Sequence, residues 1–209
     1  MEMNTLILFV IAALSINLIP GPDVIYIVTN TIKGKMKSGI EASLGLGVGY
    51  LVHTLAAVLG LSALILSSAF LFTIIKYVGA LYLLYLGLIS LLNCYRNNAS
   101  ICNDSGIKKQ SNVFKQGVIV SVLNPKVAMF FLAFLPQFID PVAANATNEL
   151  LILGLLFSAL ATMCNLFYAS MGSVLFSSPK AQRYSRMLEG VSGTILIGLS
   201  AKIALSTNK

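Results

Sequence analysis

The sequence contains little charge, few cysteines and a single histidine, and these shortages exclude several classes of protein. Only 10% of its 209 residues are charged, whereas a soluble domain usually carries about a quarter. The spacing of Cys94, Cys102 and Cys164 fits neither a disulfide framework nor a zinc site. We therefore predict no metal site and no cofactor.

Motifs for chemistry on nucleotides or other substrates are also missing. The chain has no glycine-rich phosphate loop, so ATP is not its direct energy source. It has no nucleophile paired with a base. We therefore expect no enzymatic activity and no catalytic residue.

Apolar sequence is what the chain has in abundance. Hydrophobic residues make up 57% of it, and the mean hydropathy is +0.87. A bilayer core about 30 Å thick needs roughly 20 apolar residues per helix. Six segments reach or approach this length, which predicts an all-α polytopic membrane protein with six transmembrane helices, at residues 5–32, 39–66, 70–94, 114–139, 149–176 and 188–205.

Basic residues predict the orientation of these helices. Three of the five connecting loops carry Lys or Arg and two carry none, so the positive-inside rule places the basic loops in the cytoplasm. Both termini are then non-cytoplasmic, and the net charge of +7 reflects topology instead of nucleic-acid binding. The basic loops contain Lys33, Lys35 and Lys37, then Arg96, Lys108, Lys109 and Lys115, then Lys180, Arg183 and Arg186.

A polar stretch divides the chain into two halves of three helices each. It is rich in Asn, Ser and Lys and predicts a cytoplasmic linker at residues 96–113. The linker joins a first three-helix repeat at 1–95 to a second at 114–209 within one membrane domain. Because each half has an odd number of helices, the second half inserts upside down relative to the first.

The two halves also share sequence features. Each has a proline motif in its first helix, and the glycine pair Gly79 and Gly87 recurs with the same spacing as Gly190 and Gly198. Inverted repeats with interrupted helices are typical of secondary transporters. These glycines have a simpler interpretation too, because glycine permits close packing of membrane helices.

Helices 1 and 4 are each interrupted near the middle, which predicts a break at the membrane midplane. Gly21 lets the chain turn after Pro20, and Pro22 suits the first position of a new half-helix. In helix 4, Asn124 is a preferred N-cap and Pro125 suits the first helical position. Broken helices aim their ends at whatever occupies the centre of the membrane.

A charged residue follows each break, and together they predict a binding site for a zwitterion. The half-helix N-termini and Lys126 attract a carboxylate, while Asp23 receives an ammonium group. The alternative is a pair of structural kinks in which Asp23 and Lys126 neutralise each other. Charges near the bilayer centre cost about 3 kcal/mol each, which favours function, but the sequence leaves the partner of Asp23 open.

Two further polar residues lie within the membrane segments. Asn17, one turn before the first break, either hydrogen-bonds freed backbone groups or lines the cavity. His53 titrates near neutral pH, so it is a candidate for proton coupling together with Asp23. A neutral His53 that donates to a carbonyl is the structural alternative.

Glycines in helix 2 predict a close approach by another helix. Gly45 and Gly49 form a small-xxx-small face, with Gly47 between them. The partner is a helix of this chain or a second copy, so a homodimer is one option.

At these motifs the chain resembles the LysE/RhtB family of amino-acid exporters. The resemblance covers essentially the whole chain and rests on two proline motifs at the right separation, at residues 20–22 and 123–126. The glycines of helix 2 and the segments at 77–87 and 130–138 also match the family. Members differ in cargo, so the substrate does not carry over.

The resemblance implies a biological role. It implies efflux of an amino acid or related small zwitterionic metabolite across the inner membrane of a bacterium, driven by the proton gradient in an antiport. It also implies that Pro20, Gly21 and Pro22, with Asn124 and Pro125, form the binding region. The expected partners are thus the amino acid, protons and lipid.

Other membrane functions need residues that the chain lacks. A dithiol redox carrier needs paired cysteines in helices 1 and 4, which contain none. A transporter of a metal ion or other small cation needs clustered ligands, whereas only Asp23 and His53 lie at depth. Cation transport is kept as the alternative to amino-acid export.

Overall fold

The computed structural model describes residues 3–67, 69–96, 112–139, 143, 145–175 and 181–205. All regular structure in these ranges is helical. Most of the linker predicted at 96–113 lies outside the described residues. The helices are α1 (Met3–Leu18), α2 (Pro22–Ser67), α3 (Ala69–Arg96), α4 (Val113–Val122), α5 (Pro125–Met129), α6 (Ala146–Leu175) and α7 (Ala181–Leu205). A π-helical turn (Phe130–Phe134) and a 3₁₀ turn (Leu135–Phe138) continue α5.

The predicted breaks in helices 1 and 4 are both present in the structure. The helix axis bends by 54° between Met3–Leu18 and Pro22–Ile32, and by 47° between Val113–Val122 and Pro125–Phe138. Proline explains both bends, because it removes a backbone donor and its ring clashes with the preceding turn. A further kink divides α2 at Lys35, where φ is 60°, within the basic loop predicted between helices 1 and 2.

Helix length and composition agree with a membrane protein. Gly34–Gly60 and Ala146–Met171 are each long and apolar enough to cross a bilayer, and four spans result if each bent pair is one. Ala80–Leu92 and Glu189–Ala201 are shorter apolar helices. The prediction of an all-helical protein with apolar helices is therefore confirmed for the described residues, while the six crossings and the inverted repeat stay predictions.

The helix α2 lies between α4 and α6 and packs closely on both. On one side, a Cβ at Gly45 would overlap the Phe114 carbonyl of α4, and a Cβ at Gly49 would overlap the Ser121 side chain. On the other side, a Cβ at Gly47 would lie 2.8 Å from a Thr162 side-chain atom of α6. The small face predicted in helix 2 thus packs within this chain.

The helices α3 and α7 form a second close pair. A Cβ at Gly87 would lie 2.9 Å from the Gly193 carbonyl oxygen, and a Cβ at Gly190 would lie 3.1 Å from Cys94 Sγ. Ser200 Oγ donates to the carbonyl of Ala80 at 2.9 Å. These contacts leave no room for larger side chains at the crossing.

Two glycines of the predicted repeat require comment. The expectation for Gly198 needs correcting, because a Cβ there would meet no atom within 4 Å. Helix α7 therefore makes its close approach through Gly193 instead, a position that the repeat spacing did not single out. Gly79 lies within α3, but its packing falls outside the described side chains.

Alanine substitutions at these two positions of α7 should have opposite effects. We expect Gly193→Ala to lower stability by about 1–3 kcal/mol, because the new methyl group meets the backbone of Gly87. Gly198→Ala is the matched control, and it should be neutral or stabilise by about 0.5–1 kcal/mol because alanine favours the helix. Thermal unfolding of the purified protein in detergent measures both, and equal effects would contradict the assignment.

Candidate functional site

The first break places a carboxylate at the start of a helix. Chain geometry is irregular from Ile19 to Gly21, and α2 begins at Pro22. The Gly21 carbonyl accepts from Ile25 N at 3.0 Å, which closes the first turn. Asp23 lies in this turn and is only 1% exposed, so its carboxylate is buried at the partially positive N-terminus of the helix.

The second break places an ammonium group in the equivalent position. Asn124 is the N-cap of α5, and its Oδ1 accepts from the backbone N–H of Lys126 at 3.0 Å. Pro125 occupies the first helical position. Asn124 is 1% exposed, and its Nδ2 has no hydrogen-bond partner among the described residues. The break therefore holds a buried donor beside the charged Lys126.

An ion pair joins the two breaks. Lys126 Nζ lies 3.2 Å from Asp23 Oδ1, and the side chains are 8% and 1% exposed respectively. The same ammonium group donates to the carbonyl of Ile19 at 3.1 Å. Charged residues 103 positions apart in sequence thus meet in the interior, and in this conformation the partner of Asp23 is Lys126.

Gly21 makes room for this ion pair. A Cβ at this position would lie 2.9 Å from Asp23 Oδ1 and 2.9 Å from Lys126 Nζ. A side chain at position 21 would consequently separate the two charges or displace the chain. The glycine of the first motif is needed for space as well as for the turn.

The sequence analysis missed a cluster of buried polar residues near Asp23. Asn165 Nδ2 of α6 donates to the Tyr50 hydroxyl of α2 at 2.9 Å. The Asp23 carboxylate is close enough to interact with the hydroxyls of Tyr50 and Tyr168. An asparagine in the middle of the apolar helix α6 was the available signal for this cluster.

Aromatic side chains form an apolar wall next to these polar groups. The Phe157 ring lies 5.8 Å from the ring of Tyr50, 4.2 Å from Phe130 and 5.1 Å from Phe131, measured between centroids. All four side chains are buried. The wall lies next to the ion pair at Tyr50, whose ring belongs to the wall and whose hydroxyl is close enough to interact with Asp23.

The remaining polar candidates contact backbone carbonyls. Asn17 Nδ2 donates to the Ala13 carbonyl of its own helix at 2.7 Å. His53 Nε2 lies 3.1 Å from the Ser121 carbonyl oxygen. This contact matches the structural alternative for His53, donation to a carbonyl. Among the described residues, no group of three or more His, Cys, Asp or Glu side chains could hold a metal ion.

Comparison with known proteins identifies relatives along nearly the whole chain. The model of the LysE type translocator family matches residues 14–207. The uncharacterized membrane protein YrhP of Bacillus subtilis (strain 168) is 32% identical over 98% of this chain and 100% of its own length. No solved structure matches the chain.

Two further relatives carry a functional name. The leucine efflux protein of Enterobacter sp. (strain 638) is 30% identical over 94% of this chain and 93% of its own length. The leucine efflux protein of Salmonella typhimurium (strain LT2) is 26% identical over 94% of this chain and 92% of its own length.

Proposed function

The chain belongs to the LysE type translocator family, and we propose that it exports a net-neutral amino acid with an apolar side chain. Members of this family are transporters and not enzymes. The observation that carries the proposal is the buried ion pair between Asp23 and Lys126, which joins the two breaks. The pair supplies one positive group for the carboxylate of a zwitterion and one negative group for its ammonium group.

When the substrate binds, the ion pair between Asp23 and Lys126 opens, and the substrate becomes the new partner of both residues. Its carboxylate takes the Lys126 ammonium group and the Nδ2 of Asn124, a buried donor without a partner among the described residues. Its ammonium group takes the Asp23 carboxylate beside the Tyr50 hydroxyl. Charge-assisted hydrogen bonds of this kind are roughly twice as strong as neutral ones, so both ends of the zwitterion are recognised.

Charge balance and the aromatic wall select the substrate class. Asp23 and Lys126 cancel, and the contacts described for them include no further charged side chain that could pair with a basic or acidic substrate side chain. Burying an unpaired charge is very unfavourable. The wall of Tyr50, Phe130, Phe131 and Phe157 favours an aliphatic side chain. The names of the leucine efflux relatives agree with this choice. Transport of a metal ion or other small cation is not favoured, because Lys126 already neutralises Asp23.

Proton antiport follows from competition at Asp23. A protonated carboxylic acid no longer attracts an ammonium group, so Asp23 binds a proton or the substrate but not both. Such exclusive binding at one carboxylate couples inward proton flow to outward substrate flow. His53, the other candidate, contacts a carbonyl and an aromatic ring instead of a charged group, and we therefore assign the coupling to Asp23 alone.

The remaining features of the proposal concern the membrane. We propose six crossings in two inverted repeats, a bacterial inner-membrane location and non-cytoplasmic termini. The packing supports the repeats, because the second helices of the two halves, α2 and α6, pack on each other, and so do the third helices, α3 and α7. Substituted-cysteine labelling of each loop from both sides of the membrane tests the orientation.

Removal of the ion pair separates a transport role from a structural one. We expect Asp23→Ala and Lys126→Ala each to abolish export, and each also strands a buried charge at a cost of about 3–5 kcal/mol. The double variant strands no charge, so it should insert about as well as the wild type and still not transport. Leucine uptake into inverted vesicles, normalised to inserted protein, measures this. Wild-type uptake by the double variant would show that the pair is only structural.

The same vesicles test the substrate class. We expect uptake of leucine, isoleucine and valine to exceed that of lysine and glutamate by at least about tenfold, because each charged side chain would be buried without a partner. Homoserine is an informative neutral control, since it keeps the charge balance but not the apolar side chain. Preference for lysine or glutamate would contradict the charge-balance argument.

Proton coupling predicts a response to the pH gradient that depends on Asp23. An uncoupler should abolish accumulation of leucine by the wild type. Asp23→Asn removes the titrating group but keeps the side-chain shape, so any residual downhill flux should no longer respond to the gradient. Accumulation that survives the uncoupler, or a full gradient response in Asp23→Asn, would exclude this coupling.

A further inference from the structure

Each proline break leaves a backbone carbonyl without its helical donor. In an unbroken helix the N–H of residue i+4 donates to the carbonyl of residue i. The donor to the Leu18 carbonyl would therefore come from Pro22, which begins α2, and the donor to the Ser121 carbonyl from Pro125, which begins α5. Pro20 leaves the Ile16 carbonyl without its donor in the same way. Proline has no N–H, and a buried carbonyl without a donor is unfavourable, most of all in a membrane.

Side chains from other helices donate to the carbonyls of Leu18 and Ser121. Tyr168 Oη donates to the Leu18 carbonyl at 3.1 Å. His53 Nε2 lies 3.1 Å from the Ser121 carbonyl oxygen, and because that oxygen only accepts, Nε2 must carry the hydrogen. The Asn124 N–H also reaches back to the Ser121 carbonyl at 3.1 Å. The Leu18 carbonyl thus accepts from another helix, and the Ser121 carbonyl accepts both from another helix and from its own chain.

The two donors are arranged reciprocally. Tyr168 lies on α6 in the second half and serves the break of the first half, whereas His53 lies on α2 in the first half and serves the break of the second. These helices are the second helices of the two predicted repeats. In each case, the second helix of one repeat donates a hydrogen bond to the break in the other repeat.

His53 also contacts the helix beyond its break. Its ring stacks on Phe131, with centroids 5.6 Å apart and planes 20° apart. Ser121 precedes the second break and Phe131 follows it, so one side chain from α2 holds both parts of the bent helix. The groups that the described residues place against this ring are a backbone carbonyl and a phenyl ring, neither of which titrates.

We propose that Tyr168 and His53 are a matched pair of positioning residues that maintain the two helix breaks. By donating to the carbonyls whose helical donors Pro22 and Pro125 remove, they fix the bends that bring Asp23 and Lys126 together. The claim that the breaks take part in substrate binding rests on the proposed function. The hydrogen bonds of Tyr168 and His53 are seen in the structure and do not depend on it. His53 fulfils this role as the neutral tautomer that carries its hydrogen on Nε2 and also as the imidazolium, since both have an Nε2–H.

Thermodynamic cycles with the prolines test the pairing without any substrate. His53→Phe keeps the ring and removes the donor, and it should shift the unfolding equilibrium constant by about tenfold, as loss of one buried hydrogen bond does. In a Pro125→Ala background the new N–H can serve Ser121, so the same change should have little effect. Tyr168→Phe should couple to Pro22→Ala in the same way. Additive effects in both matched cycles would overturn the proposal.

Two internal controls accompany these cycles. The crossed combinations, His53→Phe with Pro22→Ala and Tyr168→Phe with Pro125→Ala, should be additive because they concern different breaks.

Tyr26→Phe is the control for the loss of a tyrosine donor. Its hydroxyl donates to the Val113 carbonyl at 2.7 Å, and the i+4 residue there, Gly117, has its own N–H. Should the proline variants fail to fold, Tyr168→Phe must still reduce leucine uptake about tenfold more than Tyr26→Phe. Equal losses would overturn the proposal.

Transport assays separate positioning from proton transfer at His53. His53→Gln retains a donor for Ser121, so it should keep proton-driven accumulation and the pH profile of the wild type, while His53→Phe should raise KM. If His53→Gln loses accumulation but keeps leucine exchange, His53 is a proton carrier and the proposal is wrong. If the wild type moves no amino acid, the proposed function fails, while the unfolding cycles still decide this inference.

Discussion

The structure depends on opposite charges from two distant breaks meeting in its interior. Neither Asp23 nor Lys126 is tolerable alone in an apolar bundle, because each buried ion loses its hydration. Their contact at 3.2 Å therefore ties the half-helix that follows the first break to the half-helix that follows the second. The close approach of α2 to α4, with glycine at the contact positions, makes this meeting sterically possible.

The breaks that create the site also create a backbone problem, and the fold solves it with side chains. Prolines at the breaks remove the helical donors of the Ile16, Leu18 and Ser121 carbonyls. A hydroxyl and an imidazole group approach the carbonyls of Leu18 and Ser121, and an ammonium group approaches the Ile19 carbonyl within the first break. Lys126 therefore makes two contacts at the first break: it neutralises Asp23 and donates a hydrogen bond to the Ile19 carbonyl. A bend that is held at both ends keeps the charges in register, which a flexible hinge would not.

Local sequence rules predicted the breaks well, because their causes are local. The N-cap at Asn124, the helix start at Pro22 and the positions of the two bends all follow from residues within one turn. The polar cluster of Tyr50, Asn165 and Tyr168 was not predictable in this way. Its members lie on two different helices and meet only after α2 and α6 pack together. Their spacing along the chain therefore does not predict the cluster. The packing of α7 through Gly193 instead of Gly198 likewise depends on helix rotation, which one sequence does not fix.

A transporter must release its substrate as readily as it binds it, and the closed ion pair meets this need. At the proposed site, binding of a zwitterion would exchange one internal salt bridge for two intermolecular ones, with no change in the net charge of the site. The gain is therefore smaller than it would be at two unpaired charges, since the Asp23–Lys126 contact must first be broken. Because those residues belong to different breaks, breaking the contact also uncouples the two half-helices that it joins. Substrate binding and the freedom of the two breaks to move apart are thus consequences of the same event.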